Sequence, residues 1–122
     1  MAESTRVIAV VDDLFFTVKI HDAAKRSGVA IEFVKSEIDA MDKARSNPVL
    51  MILDLNCAAI DPLRLIGSLK GDETTRRIPL LGYISHVQGE LKQQAQQAGC
   101  DTVLARSAFS QNLPQILKRY GS

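Results

Sequence analysis

Two stretches decide the fold of this chain: Val7-Ile8-Ala9-Val10-Val11, followed by Asp12-Asp13, and Val49-Leu50-Met51-Ile52-Leu53, followed by Asp54. Each stretch is continuously apolar and is followed directly by one or two aspartates. Such runs, rich in β-branched residues, are typical of strands buried on both faces of a parallel sheet. Because neighbouring parallel strands end at the same edge of a sheet, we expect the three carboxylates to lie together at that edge.

Short apolar runs alternate with amphipathic ones along the whole chain. The predicted strands are Val7–Val11, Ile31–Val34, Leu50–Leu53, Pro79–Ile84 and Thr102–Ala105. The predicted helices are Leu14–Ser27, a helix capped by Ser36 that ends before Pro48, a helix from Pro62 to near Gly71, Gln88–Ala98 and Ser110–Tyr120. This α/β alternation predicts a doubly wound sheet with helices on both faces. No linker or composition shift divides the chain, so we expect a single domain, residues 1–122.

The composition excludes several classes of protein. With 15 basic and 14 acidic side chains, the net charge of +1 gives no reason to expect nucleic acid or an anionic membrane as a partner. No stretch is long and apolar enough to span a bilayer, and the N-terminus lacks the features of a secretion signal. Cys57 and Cys100 are far apart in sequence and are expected to be free thiols. We therefore expect a cytoplasmic protein.

The three carboxylates predict a particular chemistry. Two carboxylates about 5 Å apart repel each other by roughly 3 kcal/mol at an effective dielectric constant near 20. A hard divalent cation such as Mg²⁺, which prefers oxygen ligands, would relieve that repulsion. With the metal bound, one carboxylate can act as the nucleophile toward a phosphoryl donor. The alternative is that Asp12 and Asp13 only cap the following helix and that Asp54 is an exposed loop residue.

Over essentially its full length the chain resembles the receiver domains of bacterial two-component response regulators. Val10-Val11-Asp12-Asp13 is similar to the family's acidic Mg²⁺-binding pair, Leu53-Asp54-Leu55-Asn56 to its phosphoacceptor segment, and Ala98-Gly99-Cys100-Asp101 to the turn before its fifth strand. The resemblance implies a flavodoxin-like fold with strand order 2-1-3-4-5. It also implies Mg²⁺ bound by Asp12, Asp13, Asp54 and the Asn56 carbonyl, and phosphorylation of Asp54 by a histidine kinase or a phosphotransfer protein.

The chain also departs from that family. Where receivers end the fifth strand with lysine and proline, it has Arg106-Ser107, and arginine differs from lysine in shape. We expect Arg106 to contact the phosphoryl group and the loop after the strand to be rearranged. At the end of the fourth strand, Ile84 stands in place of a threonine or serine, and a hydroxyl follows at Ser85, the second expected phosphoryl contact. Val103 replaces the family's mobile aromatic, so we expect an atypical conformational switch.

The leading hypothesis is therefore a signalling module rather than an enzyme, limited to self-catalysed phosphoryl transfer and autodephosphorylation. The main alternative is a pseudo-receiver, a protein-interaction scaffold that acts without phosphorylation. A hydrolase of the aspartyl-phosphate kind is weaker, because Asp54-Leu55-Asn56 lacks the second acid of such enzymes. His86 is either a solvated loop residue or a gate beside the phosphoryl group. A homodimer is a further option, although the glutamine-rich fourth helix presents no apolar patch.

Overall fold

The computed structural model describes residues 6–85 and 89–121. Its strands are β1 (Val7–Val10), β2 (Ile31–Val34), β3 (Leu50–Asp54), β4 (Leu80–Ile84) and β5 (Thr102–Ala105). Its helices are α1 (Leu14–Ser27), α2 (Glu37–Ala44), α3 (Pro62–Gly71), α4 (Gly89–Ala98) and α5 (Arg106–Gly121). All strand pairs are parallel, in the order β2-β1-β3-β4-β5. This confirms the predicted flavodoxin-like topology.

The sheet separates two hydrophobic cores, because successive side chains of a strand point to opposite faces. One core packs α1 and α5 against the sheet, with the helix residues Phe16, Ile20, Ala24, Phe109, Leu113 and Leu117. The other packs α2, α3 and α4, with the helix residues Ala40, Ala44, Leu65, Ile66, Leu69 and Ala95. Both faces of the central strands are therefore buried, which is why their sequences are continuously apolar.

Local signals mark one end of each of the helices α1, α2 and α3. Ser36 caps α2, and its Oγ accepts a hydrogen bond of 3.1 Å from the backbone N–H of Asp39. Asp61 caps α3 and accepts from the Arg64 N–H, with Pro62 at the first helical position. Gly28 ends α1 with a φ of 70°, a left-handed conformation that glycine adopts at little cost.

One prediction about the helices was wrong. Helix α5 begins at Arg106 rather than Ser110, so β5 passes directly into the helix and no separate loop lies between them. The earlier start places Phe109 on the same buried face as Leu113 and Leu117. In α3, Leu65, Ile66 and Leu69 are buried, and Leu63 is partly buried and packs against the same core.

The described residues also show the state of the cysteines. Both cysteines are free and buried. Within the described ranges no helix combines the length and the apolar character needed to cross a membrane. The peptide bonds described there include no cis bond. His86 lies outside the described residues, as does Gln88, the predicted first residue of the fourth helix.

Candidate functional site: an acidic pocket at the carboxyl edge of the sheet

Strand register brings the acidic residues to one edge of the sheet. Val10, the last residue of β1, pairs with Leu53, so the segment after β1 runs beside Asp54 at the end of β3. Asp12 and Asp13 occupy that segment. A pocket of about 220 Å³ opens there, lined by Asp12, Asp13, Asp54, Asn56, Cys57, Ala58 and Arg106. The structure thus places all four expected metal-site residues, together with Arg106, around one pocket.

Asp54 is the buried member of the set. Its side chain is only 7% exposed, so the alternative that it is an exposed loop residue is wrong. Its Oδ1 accepts a hydrogen bond of 2.9 Å from the backbone N–H of Asn56. Burial raises the pKa of Asp54, and the carboxylates of Asp13 and Asp12 raise it further, against the Asn56 hydrogen bond and the Arg106 guanidinium, which lower it. The site therefore favours added positive charge.

Asp12 and Asp13 have different local roles. Asp13 caps α1, and its Oδ1 accepts a hydrogen bond of 2.8 Å from the Phe15 N–H, so the capping alternative is confirmed for this residue. The cap occupies only one of its two carboxylate oxygens. Asp12 is exposed and accepts no hydrogen bond from any described residue. Its carboxylate is thus available to a cation without disturbing a helix cap.

Asn56 and Ser85 connect two loops of this edge. The Asn56 Oδ1 accepts a hydrogen bond of 2.7 Å from the Ser85 N–H, which ties the loop after β3 to the end of β4. Ser85 lines a cavity adjoining the acidic pocket, and both cavities share Arg106 as a wall. Ile84 turns the other way and is buried in the core beneath α3 and α4.

Arg106 supplies the cation of the site. It is the first residue of α5, and its Cζ lies 5.2 Å from the centroid of the Phe16 ring, within cation–π range. Its Nε is buried and has no hydrogen-bond partner in the described part of the chain. The guanidinium therefore faces the acidic pocket with unused donor capacity.

Tyr83 also belongs to this region, although the sequence patterns did not point to it. Tyr83 pairs with Asp54 in the register of β3 and β4, and its side chain is 1% exposed. Its ring stacks on Phe109 and Phe16, with centroid separations of 4.6 and 5.1 Å. Its hydroxyl has no hydrogen-bond partner in residues 6–85 and 89–121. A tyrosine in an otherwise aliphatic strand was the only signal in the sequence that could have revealed it.

The residues present match the chemistry of a Mg²⁺ site but do not form a rigid cage. Carboxylates and a backbone carbonyl are the hard oxygen donors that Mg²⁺ prefers, usually one or two carboxylates together with several waters. Among the described residues no group of three or more His, Cys, Asp or Glu side chains is already arranged to hold a metal ion. The donor set and the raised pKa of Asp54 therefore fit a loosely held, largely hydrated Mg²⁺.

Comparisons with known proteins identify the fold. No protein-family model matches the sequence, and no curated protein is similar to it. Among solved structures, the signal receiver domain of a response regulator from Bermanella marisrubri is 26% identical, with a TM-score of 0.83 over 98% of this chain and 100% of that one.

Two further solved structures show a protein with bound magnesium and a phosphorylated protein. The receiver domain of the sensor histidine kinase PA1611 from Pseudomonas aeruginosa, with magnesium coordinated in its active-site cleft, is 22% identical, with a TM-score of 0.81 over 98% of this chain and 99% of that one. The phosphorylated cyanobacterial phytochrome response regulator RcpA is 23% identical, with a TM-score of 0.79 over 94% and 89% of the two chains. The chain therefore has the fold of response-regulator receiver domains.

Proposed function

We propose that this chain is a receiver domain of two-component signalling that accepts a phosphoryl group on Asp54. The observation that carries the proposal is the position of Asp54: a buried carboxylate at the end of β3, beside Asp12 and Asp13 in one pocket. The receiver-domain fold supports it, because the same sheet edge is the ligand-binding edge of doubly wound sheets.

The two oxygens of Asp54 are suited to different tasks. Oδ1 is held by the Asn56 N–H, whereas Oδ2 receives no hydrogen bond from a described residue. Oδ2 is therefore the nucleophile that attacks the phosphorus atom of the donor. The new O–P bond forms as the bond from phosphorus to the donor breaks, and the donor atom, a histidine nitrogen or the acetate oxygen of acetyl phosphate, keeps the electron pair. The product is an acyl phosphate on Asp54.

The other residues of the site would stabilise the negative charge of the phosphoryl group. Asp12, Asp13, Asp54 and the Asn56 carbonyl would hold Mg²⁺, which supplies positive charge opposite the phosphoryl oxygens. Arg106 provides a second cation from the start of α5. Ser85, held at the end of β4 by its bond to Asn56, is the proposed hydroxyl contact. A histidine kinase or a phosphotransfer protein of the cytoplasm is the proposed donor.

One observation favours a second candidate, the pseudo-receiver. The Arg106 guanidinium lines the acidic pocket and lowers the pKa of Asp54, so a cation of the chain itself partly takes the place of a metal. A scaffold of this kind would bind its partner without phosphorylation. The pKa of Asp54 nevertheless stays raised, which means that Arg106 does not fully compensate the buried charge.

Intact-mass measurement separates the two candidates. The protein is incubated with Mg²⁺ and acetyl phosphate, and we expect the mass of one added phosphoryl group in the wild type and in Asp39→Asn, whose carboxylate is exposed on α2. The adduct should be absent from Asp54→Asn. A wild type that gains no mass, and shows no Mg²⁺ affinity in calorimetric titration, would instead establish the pseudo-receiver.

A further inference from the structure

Two buried polar atoms lack hydrogen-bond partners in the described residues. They are the Arg106 Nε, on a side chain that lines the acidic pocket, and the hydroxyl of Tyr83, the register partner of Asp54. Both side chains contact the Phe16 ring, Tyr83 by stacking and Arg106 by a cation–π contact. Burying a donor without a partner costs about 1 to 3 kcal/mol, and such groups are rare in folded proteins. An acceptor that binds at this site would satisfy both donors.

The geometry of the sheet places Tyr83 beside the phosphoacceptor. Asp54 and Tyr83 are register partners on neighbouring strands, which lie about 4.8 Å apart in a sheet. Leu50 and Ile52 of β3 and Tyr83 itself belong to the core under α1 and α5. Since side chains alternate along a strand, Asp54 lies on the same face as Ile52, and therefore on the same face as Tyr83.

The surroundings of Tyr83 keep its hydroxyl protonated and its ring in place. The stack on Phe109 is nearly parallel, at 9°, and holds the ring between α5 and α1. Burial raises the pKa of Tyr83 well above its ordinary value, and the carboxylates of Asp54 and Asp13 raise it further. Tyr83 is therefore a hydrogen-bond donor at any physiological pH.

We infer that the Tyr83 hydroxyl, together with the Arg106 Nε, binds the anionic oxygens of the phosphoryl group once it is attached to Asp54. A phosphoryl group brings oxygens that accept strong charge-assisted hydrogen bonds. The pair thus recognises the attached phosphoryl anion, whereas beside the free carboxylate of Asp54 neither donor has a partner among the described residues. This inference rests on the proposed function. It adds Tyr83 to the site, a residue of β4 whose side chain lies in the core under α1 and α5.

Tyrosine spectroscopy tests this directly. The chain has two tyrosines and no tryptophan, so Tyr120→Phe leaves Tyr83 as the only tyrosine. Mg²⁺ with beryllium fluoride, which attaches to carboxylates as a phosphoryl mimic, is titrated into this variant. We expect a saturable red shift of the Tyr83 absorption band, the signature of a phenol that has become a hydrogen-bond donor. A tyrosine with a purely structural role would show no such shift.

Binding affinity provides the second readout. In calorimetric titrations with beryllium fluoride and Mg²⁺, we expect Tyr83→Phe to bind about tenfold more weakly than the wild type, the equivalent of one hydrogen bond. The matched control, Tyr120→Phe, makes the same change near the end of α5 and should bind like the wild type. Circular dichroism confirms that both variants are folded.

The outcomes distinguish the two proposals. If Tyr83→Phe binds beryllium fluoride like the wild type and Tyr120→Phe shows no red shift, the proposed role of Tyr83 is wrong. The proposed phosphorylation of Asp54 is not affected by that result. A wild type that binds neither beryllium fluoride nor a phosphoryl group overturns the proposed function and the sensing role with it.

Discussion

At the scale of single residues, this protein buries polar groups at some cost to its stability. Asp54 is held as a nearly inaccessible carboxylate, and Tyr83 carries a hydroxyl without a partner in the described residues. Buried charges and unpaired donors destabilise a fold unless something compensates them. Residues of this kind are typical of functional sites, and substituting Asp54 and Tyr83 measures how much each lowers the free energy of unfolding.

Replacing Asp54 by asparagine should stabilise the protein at neutral pH by about 1 kcal/mol. Asparagine retains an oxygen to accept the Asn56 N–H and removes the buried charge. Because the pKa of Asp54 is raised in the folded state, the wild-type side chain contributes stability below its unfolded pKa and loses it as pH rises through the folded one. The advantage of Asp54→Asn in urea unfolding should therefore be present at pH 7 and vanish near pH 3. An equal advantage at both pH values would contradict this.

Tyr83→Phe should also stabilise the protein, by about 1 kcal/mol, because it removes an unsatisfied hydroxyl and keeps the aromatic stack. Tyr120→Phe, at a partly exposed residue of α5, should change the free energy of unfolding by less than about 0.5 kcal/mol. Chemical denaturation of the two variants side by side gives the comparison. A Tyr83→Phe protein less stable than the wild type would show that the hydroxyl already has a partner in the resting state.

At the scale of elements, local chemistry predicted most boundaries but not the start of α5. Ser36 and Asp61 each supply a side-chain oxygen to the first turn of a helix, so caps at these residues could be identified from sequence. No such cap precedes Arg106 in the sequence. The helix starts there because Phe109 belongs to the buried face of α5, which is a property of tertiary packing. The predicted loop after the fifth strand was wrong for the same reason.

Substitution of Gly82 tests how closely β4 packs against the loop that follows Asp54. A Cβ at this position would lie 2.8 Å from the Cδ1 of Leu55, the buried residue that follows Asp54. Gly82→Ala should therefore displace Leu55 and destabilise the protein by about 1 to 3 kcal/mol.

The matched control for that substitution is Gly67→Ala in α3. A Cβ there meets nothing within 4 Å, and alanine favours the helix by about 1 kcal/mol. Thermal unfolding should thus shift in opposite directions for the two variants. Equal shifts would mean that Leu55 does not restrain β4.

At the scale of the whole molecule, the order of the strands creates the site. The continuously apolar runs of β1 and β3 predicted that Asp12, Asp13 and Asp54 lie at one edge of a parallel sheet. The strand order implied by the family resemblance, which makes β1 and β3 neighbours, predicted that they meet. Predicting the position of Tyr83 would also have required the register of β4 against β3 and the face on which each side chain lies. Periodicity does not specify register between strands that are buried on both faces, so this partner could not be predicted from sequence.

Magnesium should stabilise the whole domain through the same pocket. A ligand that binds only the folded state raises the free energy of unfolding by about 2.7 kcal/mol at a concentration a hundredfold above its Kd. Asp12 is the cleanest probe, because its carboxylate is exposed and makes no hydrogen bond with a described residue. Without Mg²⁺, Asp12→Asn should be at least as stable as the wild type, because it removes a carboxylate that repels Asp54. It should lose most of the gain in melting temperature that the metal produces. Asp39→Asn should keep that gain.

Chemical trapping of the modified residue tests directly whether Asp54 is the phosphoacceptor. Borohydride reduces an acyl phosphate of aspartate to homoserine, which peptide mass spectrometry locates in the sequence. After incubation with acetyl phosphate and Mg²⁺, we predict homoserine at position 54 alone, and none when either reagent is omitted. Homoserine at position 12 or 13, or unconverted aspartate at all three positions, would contradict the assignment of Asp54 as the phosphoacceptor.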